Sequence, residues 1–99
     1  MRIARWLIPC ALVAGVGCGP SMYTVNVLPA SRVVEEAGEA NASDHAPYEY
    51  YYARAHLDEA RQEASQGRYQ DAVEYAETAE KYGGKARDLA RRRFREMGR

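Results

Sequence analysis

Residues 47–79 read PYEYYYARAHLDEARQEASQGRYQDAVEYAETA and carry the clearest helical pattern of the chain. Apolar residues recur there every three or four positions, which is the spacing of one face of an α-helix. The positions that repeat in this way are Tyr50, Ala53, Leu57, Ala60 and Ala64, then Tyr69, Ala72, Val73, Ala76 and Ala79. Between the two runs, Gly67 can take the left-handed conformation that ends a helix, and Arg68 leads into the next one. So short a break predicts an antiparallel helical hairpin.

The second helix of this hairpin continues the pattern past residue 79, through Gly83, Ala86 and Ala90. Because both facing surfaces are mostly alanine, we expect the two helix axes to approach closely. Tyr75, Tyr82 and Leu89 widen the apolar arc on one flank, where the first helix or a partner could cover them. Two glycines cost about 2 kcal/mol against two alanines in a helix. The pair Gly83-Gly84 therefore predicts a weak point, at which the helix could bend or end.

Helical spacing of apolar residues also precedes the hairpin, at Val33, Val34, Ala37 and Ala40. It predicts a short first helix from Ser31 to about Ala40. Residues 41–47 are typical of a turn, with Asp44 or Ser43 available to cap the next helix. We therefore predict an all-α, alanine-rich domain over residues 31–97, built as a hairpin to which the first helix could add to make a three-helix bundle.

The start of the chain has the three parts of a secretory signal peptide. Arg2 and Arg5 supply positive charge, residues 6–16 are almost wholly apolar, and Gly15 and Gly17 are small residues next to a cysteine. The apolar run holds roughly a dozen residues, whereas a membrane-spanning helix takes about twenty. We therefore expect residues 1–17 to be cleaved and not to form a permanent transmembrane anchor.

The stretch Gly15-Val16-Gly17-Cys18 resembles the lipobox of bacterial lipoproteins, in which small residues precede a cysteine that receives diacylglycerol on its sulfur. Gly15 stands where the lipobox usually has leucine. The resemblance implies that Cys18 is lipidated and holds the protein at a membrane. Gly19 then occupies the position that carries aspartate in lipoproteins retained in the inner membrane of enteric bacteria, which implies an outer-membrane anchor facing the periplasm. Cleavage by an ordinary signal peptidase, which would leave Cys18 as a free thiol, is the alternative.

Residues 18–30 contain two prolines and no helical period, which is typical of a flexible tether between a lipid and a domain. A short strand from Tyr23 to Leu28 is the competing interpretation. Cys10 lies in the segment expected to be removed, so the mature chain would hold a single cysteine and no internal disulfide.

Two known families share parts of this pattern. The run Gly67-Arg68-Tyr69-Gln70-Asp71-Ala72, with Ala76 and Ala79 after it, looks like the turn and second helix of one tetratricopeptide repeat. Repeat arrays need about three such units, so this similarity implies a single repeat-like hairpin.

A longer match runs from Ala46-Pro47-Tyr48-Glu49-Tyr50 through the alanines of both helices. It resembles the alanine-rich domain of unknown function 4398 (DUF4398), which is found in small Gram-negative lipoproteins and ahead of OmpA-like domains. That resemblance implies an envelope location and a helical fold, and it brings no catalytic residues.

Composition argues against most enzymatic and nucleic-acid functions. The 99 residues carry 14 basic and 14 acidic side chains, so the whole-chain charge favours no strongly charged partner. His45 and His56 have no companions at metal-ligand spacing, so we expect both to be ordinary surface histidines, and no triad or glycine-rich phosphate loop occurs. We expect a non-enzymatic protein with no cofactor and no metal.

Two groups of residues are candidates for binding a partner. The first is the tyrosine cluster near the start of the hairpin, from which Tyr48, Tyr51 and Tyr52 are the candidate contacts. The second is the basic run Arg91, Arg92, Arg93 and Arg95 near the end of the chain. Tyrosine offers a large apolar area with a polar tip, and basic runs bind acidic surfaces. In an antiparallel hairpin the two groups lie toward one end, so they could form one surface. The alternatives are tyrosines wedged against the first helix and arginines that only complement the helix dipole.

These observations favour a lipid-anchored, periplasm-facing helical module that binds an envelope protein or peptidoglycan. Export argues against a nucleic-acid partner. A small-ligand-binding or hydrolytic envelope protein is the first alternative, and a binder of nucleic acid or another anionic surface through the basic run is the second.

Overall fold

The computed structural model describes residues 18–98, so the signal peptide predicted for residues 1–17 lies outside the described residues. Four helices follow one another: α1 (Cys18–Glu39), α2 (Ala42–His45), α3 (Pro47–Ser65) and α4 (Tyr69–Met97). Residues 18–98 contain no strand. The prediction of an all-α domain is confirmed.

The three long helices form a bundle in which α1 and α4 run parallel and α3 runs antiparallel to both. Near one end the rings of Tyr23 and Tyr69 lie 6.3 Å apart, and farther along Glu36 and Arg87 form an ion pair. The ring of Tyr52 lies 4.3 Å from that of Tyr82, as expected for an antiparallel α3–α4 hairpin. The short helix α2 links α1 to α3 at the other end of the bundle.

Residues 18–30 are not a tether and not a strand, because they form the first turns of α1. Pro20 is tolerated in the first turn, where backbone amides have no helical partner. Pro29 lies inside the helix and removes one backbone hydrogen bond. This loss is offset by packing, because Ala30 is fully buried in the core and Val27 lies against it. The tether prediction was wrong because prolines disfavour a helix only locally. Packing of this segment against the core outweighs that local cost.

The turn after α3 has the geometry that the sequence predicted. Gly67 has a φ of 78°, and its amide donates to the Ala64 carbonyl while the Arg68 amide donates to the Glu63 carbonyl. This pair of bonds is the Schellman motif that closes a helix C-terminus. At the start of α3 the prediction was wrong, since Ala46 occupies the cap position without a side-chain bond and Pro47 follows as the first helical residue.

The core consists mainly of alanine, which lets the helices pack closely. Fully buried alanines come from α1, α3 and α4, and the larger core side chains Val33, Val34 and Leu57 are at most 9% exposed. The helix does not end at Gly83-Gly84, since α4 continues to Met97. Gly83 is covered by Val33 and Val34 of α1, so tertiary packing stabilises the helix where its own propensity is weak.

Candidate functional site

The four tyrosines at the start of α3 point to different sides of the bundle. Tyr50 packs against the core, and Tyr51 is 53% exposed with its ring edge toward Tyr50 at 5.3 Å. The rings of Tyr48 and Tyr52 stack 5.8 Å apart. Tyr51 is a surface neighbour of Tyr48 at i+3, but its ring pairs with Tyr50.

Tyr48 and Tyr52 begin a continuous row of aromatic rings along the groove between α3 and α4. We call this set the tyrosine row: Tyr48, Tyr52, His56, Tyr75 and Tyr82. The Tyr52 ring lies 4.1 Å from His56 and 4.3 Å from Tyr82, and His56 lies 5.8 Å from Tyr75. In this three-helix bundle the groove lies on the side away from α1. The hollow that includes Tyr52, His56 and Tyr75 is accordingly lined by residues of α3, the following turn and α4. The row is thus an aromatic surface that α1 leaves uncovered.

His56 is a half-buried member of this row, whereas the sequence predicted an ordinary surface histidine. Its Nδ1 lies 2.8 Å from the carbonyl oxygen of Tyr52. A carbonyl can only accept, so Nδ1 carries the proton and donates. This bond and the stacking on Tyr52 fix the ring within the row. Within residues 18–98 no group of three or more histidine, cysteine, aspartate or glutamate side chains is arranged to hold a metal ion.

Basic side chains of α4 border the tyrosine row. The ammonium groups of Lys85 and Lys81 lie 4.9 Å and 5.9 Å from the centre of the Tyr82 ring, within the range of cation–π attraction. Lys85 also lines a shallow hollow with Arg92 and Glu49. Arg92 therefore shares a hollow with Lys85, and Lys85 in turn lies over the Tyr82 ring of the row.

The remaining arginines of the basic run point elsewhere. Arg91 and Arg95 line a different hollow, together with Phe94 and the Glu39–Asn41 segment. The Arg93 guanidinium donates a hydrogen bond to the carbonyl oxygen of His45. The run thus surrounds the last turns of α4, and it does not form one basic patch.

The structure adds five residues to the candidate surface: His56, Tyr75, Tyr82, Lys81 and Lys85. The sequence carried a partial signal, because Tyr75 and Tyr82 are seven residues apart and therefore two helical turns apart on one flank of α4. It could not show that α1 covers a different side of the hairpin.

Cys18, the predicted lipidation site, is the first residue of α1. Because α1 and α4 run parallel, Cys18 and the basic run lie at opposite ends of the bundle. Among the described residues, no helix has the length and apolar character needed to cross a bilayer.

Comparison with known proteins gives one family match. The model of a domain of unknown function, DUF4398, matches residues 27–97. Neither a curated protein nor a solved structure matches the chain.

Proposed function

The chain belongs to the DUF4398 family, a domain of unknown function, and from its surface chemistry we propose that it is a lipid-anchored helical interaction module of the bacterial cell envelope. In this proposal it is non-enzymatic and binds another envelope component through the tyrosine row. The observation that carries the proposal is the row itself, an aromatic surface bordered by lysines on the side of the bundle that α1 does not cover.

The composition of the row is that of a protein-binding surface. Tyrosine is enriched at interfaces because its ring buries a large apolar area and its hydroxyl still finds a polar partner. Tyr48 is 67% exposed, whereas Tyr52 and His56 are held in place by each other and by Tyr82. A ring that is already ordered loses little conformational freedom when a partner binds.

The chemistry of the border indicates the kind of partner. Lys81 and Lys85 supply positive charge beside the Tyr82 ring, whereas the hollow at Tyr75 is lined by Glu63, Asp71 and Glu74 besides Arg68. The partner surface would therefore combine apolar side chains with carboxylates that face the Tyr82 end of the row. An acidic envelope protein fits this description, and the carboxylates of peptidoglycan stem peptides are the second candidate.

The membrane anchor in this proposal is lipid on Cys18. Its support is the apolar run before Cys18 and the resemblance of Gly15-Val16-Gly17-Cys18 to a lipobox. Each buried methylene contributes about 0.8 kcal/mol, so several acyl chains hold a protein durably. Gly19 favours the outer membrane with the domain facing the periplasm.

The two alternatives have less support. Small-ligand or hydrolytic function would require an enclosed pocket, and the space between the helices is filled by alanines that are fully buried. Binding of nucleic acid or an anionic surface would require the arginines to act together, yet Arg91 and Arg92 line different hollows and Arg93 is bonded to His45.

Two exposed tyrosines provide a matched test of the tyrosine row. Tyr48→Ala removes a ring from the row, and Tyr51→Ala removes a neighbouring exposed ring that pairs with Tyr50 and is not part of the row. Pull-down from detergent-solubilised envelopes should show partner capture reduced at least severalfold for Tyr48→Ala and unchanged for Tyr51→Ala. Equal capture by both variants and the wild type would refute the row as the binding surface.

The anchor is tested separately on the native protein. Fractionation should place it in the outer membrane, and mass spectrometry should show residues 1–17 absent and lipid on Cys18. An intact Met1 terminus in the native host would contradict the proposal.

A further inference from the structure

The outward face of the first half of α1 carries no charge and presents three exposed apolar side chains beside the polar residues Ser21 and Thr24. Residues 18–31 include no charged side chain, although charged residues make up 28% of the chain. We call Met22, Val25 and Leu28 the α1 stripe; these side chains are 53%, 66% and 58% exposed. The first charged residue of α1 is Arg32.

Within the α1 stripe, Met22 lies at the edge of the bundle contact, in a hollow that it lines with Tyr69 and Val73 of α4, whereas Val25 and Leu28 are the more exposed members. Tyr23, Val27 and Ala30 of the same segment pack toward the core, so this stretch is apolar on two sides. The outward positions of α3 differ, because they include the exposed residues Asp58 and Glu59. Exposed apolar side chains grouped on an uncharged face and bordered by polar residues are typical of a membrane or protein contact.

We propose that the α1 stripe lies in the interfacial layer of the bilayer to which Cys18 is anchored, an inference that rests on the proposed acylation of Cys18. No linker separates that residue from the stripe, because Cys18 is itself the first residue of α1. Positions 18, 22 and 25 follow the helical spacing of four and three that brings residues to one face. At 1.5 Å per residue, Leu28 is about 15 Å along the helix from Cys18. A helix anchored at its first residue would therefore lie with this face on the membrane.

The size and chemistry of the α1 stripe favour a bilayer over a second copy of the chain. A stable protein interface buries about 800 Å² on each partner, and three side chains supply only part of that area. An interfacial helix needs less, because its apolar face enters only about 5–10 Å into the headgroup and acyl boundary. The anchoring lipid supplies the remaining affinity.

This orientation also determines what the rest of the bundle faces. The tyrosine row lies in the groove between α3 and α4, on the side of the bundle away from α1. With α1 on the membrane, the row faces away from the lipid and is open to a periplasmic partner. Membrane contact and partner binding then use opposite sides of one small bundle.

The test uses tryptophan fluorescence of the acylated protein in vesicles. The chain has a single tryptophan, Trp6, which is absent from the mature protein if residues 1–17 are cleaved. Val25→Trp and Leu28→Trp probe the α1 stripe, and Ala55→Trp probes an exposed position of α3 as the matched control. Each protein is placed in vesicles of equal parts phosphatidylglycerol and phosphatidylcholine, with the phosphatidylcholine either plain or brominated on its acyl chains.

We expect brominated lipid to remove most of the fluorescence of Val25→Trp and Leu28→Trp and to leave that of Ala55→Trp unchanged. If all three emit equally in brominated and plain vesicles, the bilayer contact is refuted. The bilayer contact is also refuted if the tryptophans of the two stripe variants are shielded from water but not quenched by brominated lipid, and these variants cross-link as dimers through α1. Mass spectrometry of the same samples distinguishes failure of the proposed anchor from failure of the proposed orientation. If Cys18 carries no lipid, the anchor is refuted. If Cys18 is acylated but the tryptophans of the α1 stripe are not quenched, only the orientation is refuted.

Discussion

Gly83 of α4 lies against Val33 of α1 so closely that a Cβ added to the glycine would come within 2.8 Å of the Val33 Cγ1. The same Cβ would lie 3.1 Å from the Val34 Cγ2. Neither valine can move away easily, because a β-branched side chain in a helix has one strongly preferred rotamer. The missing side chain at residue 83 is therefore what lets α1 and α4 approach each other.

This relationship predicts opposite effects for the two neighbouring glycines. Gly83→Ala should destabilise the fold by about 1 kcal/mol, because overpacking costs about 1–3 kcal/mol and better helix propensity returns about 1 kcal/mol. Gly84→Ala should stabilise it by up to about 1 kcal/mol, since a Cβ there meets only Val33 at an ordinary 3.9 Å. Urea unfolding of the chain beginning at residue 18, with Cys18→Ser, measures both. A shift of the same sign for the two variants would contradict the packing described.

A second prediction concerns the alanine faces of the α3–α4 hairpin. Ala60 and Ala76 are fully buried, so Ala60→Leu and Ala76→Leu should each cost about 1–3 kcal/mol through overpacking. Glu77 is exposed, and Glu77→Gln should change the melting temperature little. Thermal unfolding by circular dichroism distinguishes these outcomes, and equal shifts for all three variants would be inconsistent with an alanine interface.

A third prediction concerns the ion pair between α1 and α4. Arg87 donates to Glu36 at 2.7 Å and to its neighbour Asp88 at 3.0 Å, and these bonds, first that to Glu36, raise the pKa of Arg87. A double-mutant cycle of Arg87→Gln with Glu36→Gln should give a coupling of about 0.5–1 kcal/mol, because both side chains are only partly exposed. The cycle of Arg87→Gln with Asp88→Asn is the control and should give almost none, since Asp88 is 69% exposed. A larger coupling to Asp88 would show that the contact between helices contributes little.

The fourth prediction concerns the basic run. Changing Arg91, Arg92 and Arg93 together to glutamine should weaken partner capture without unfolding the bundle, because all three are exposed beyond the last core alanine, Ala90. Exposed charges are screened over about 10 Å at 0.1 M salt. High salt should therefore reduce capture by the wild type more than capture by the triple variant.

The single variant Arg92→Gln refines this experiment, because Arg92 shares a hollow with Lys85, which lies over the Tyr82 ring of the tyrosine row. It should account for most of the loss seen in the triple variant. A triple variant that captures every partner with the salt response of the wild type would mean that the run only complements the helix dipole.

Local signals made part of this structure predictable. Helical spacing predicted α3 and the start of α4, and Gly67 marked the turn, because each of these depends on interactions within a few residues. The candidate site was predictable only in part. Tyr48 and Tyr52 could be identified as aromatic residues on one flank of a helix, but their neighbours Tyr75 and Tyr82 come from α4 and meet them only through packing.

The helical character of the chain, the hairpin of residues 47–79 with its turn at Gly67, and the close approach of alanine-lined helices all follow from local sequence. The start of α1 at Cys18, the continuation of α4 past Gly83, and the pairing of Tyr51 with Tyr50 and not with the tyrosine row emerge only from packing. One cause explains this difference. Periodicity and turn chemistry act within one segment of the chain. Which surface of one helix is covered by another determines the remaining features: the helical state of residues 18–30, the continuity of α4 at Gly83 and the assembly of the tyrosine row.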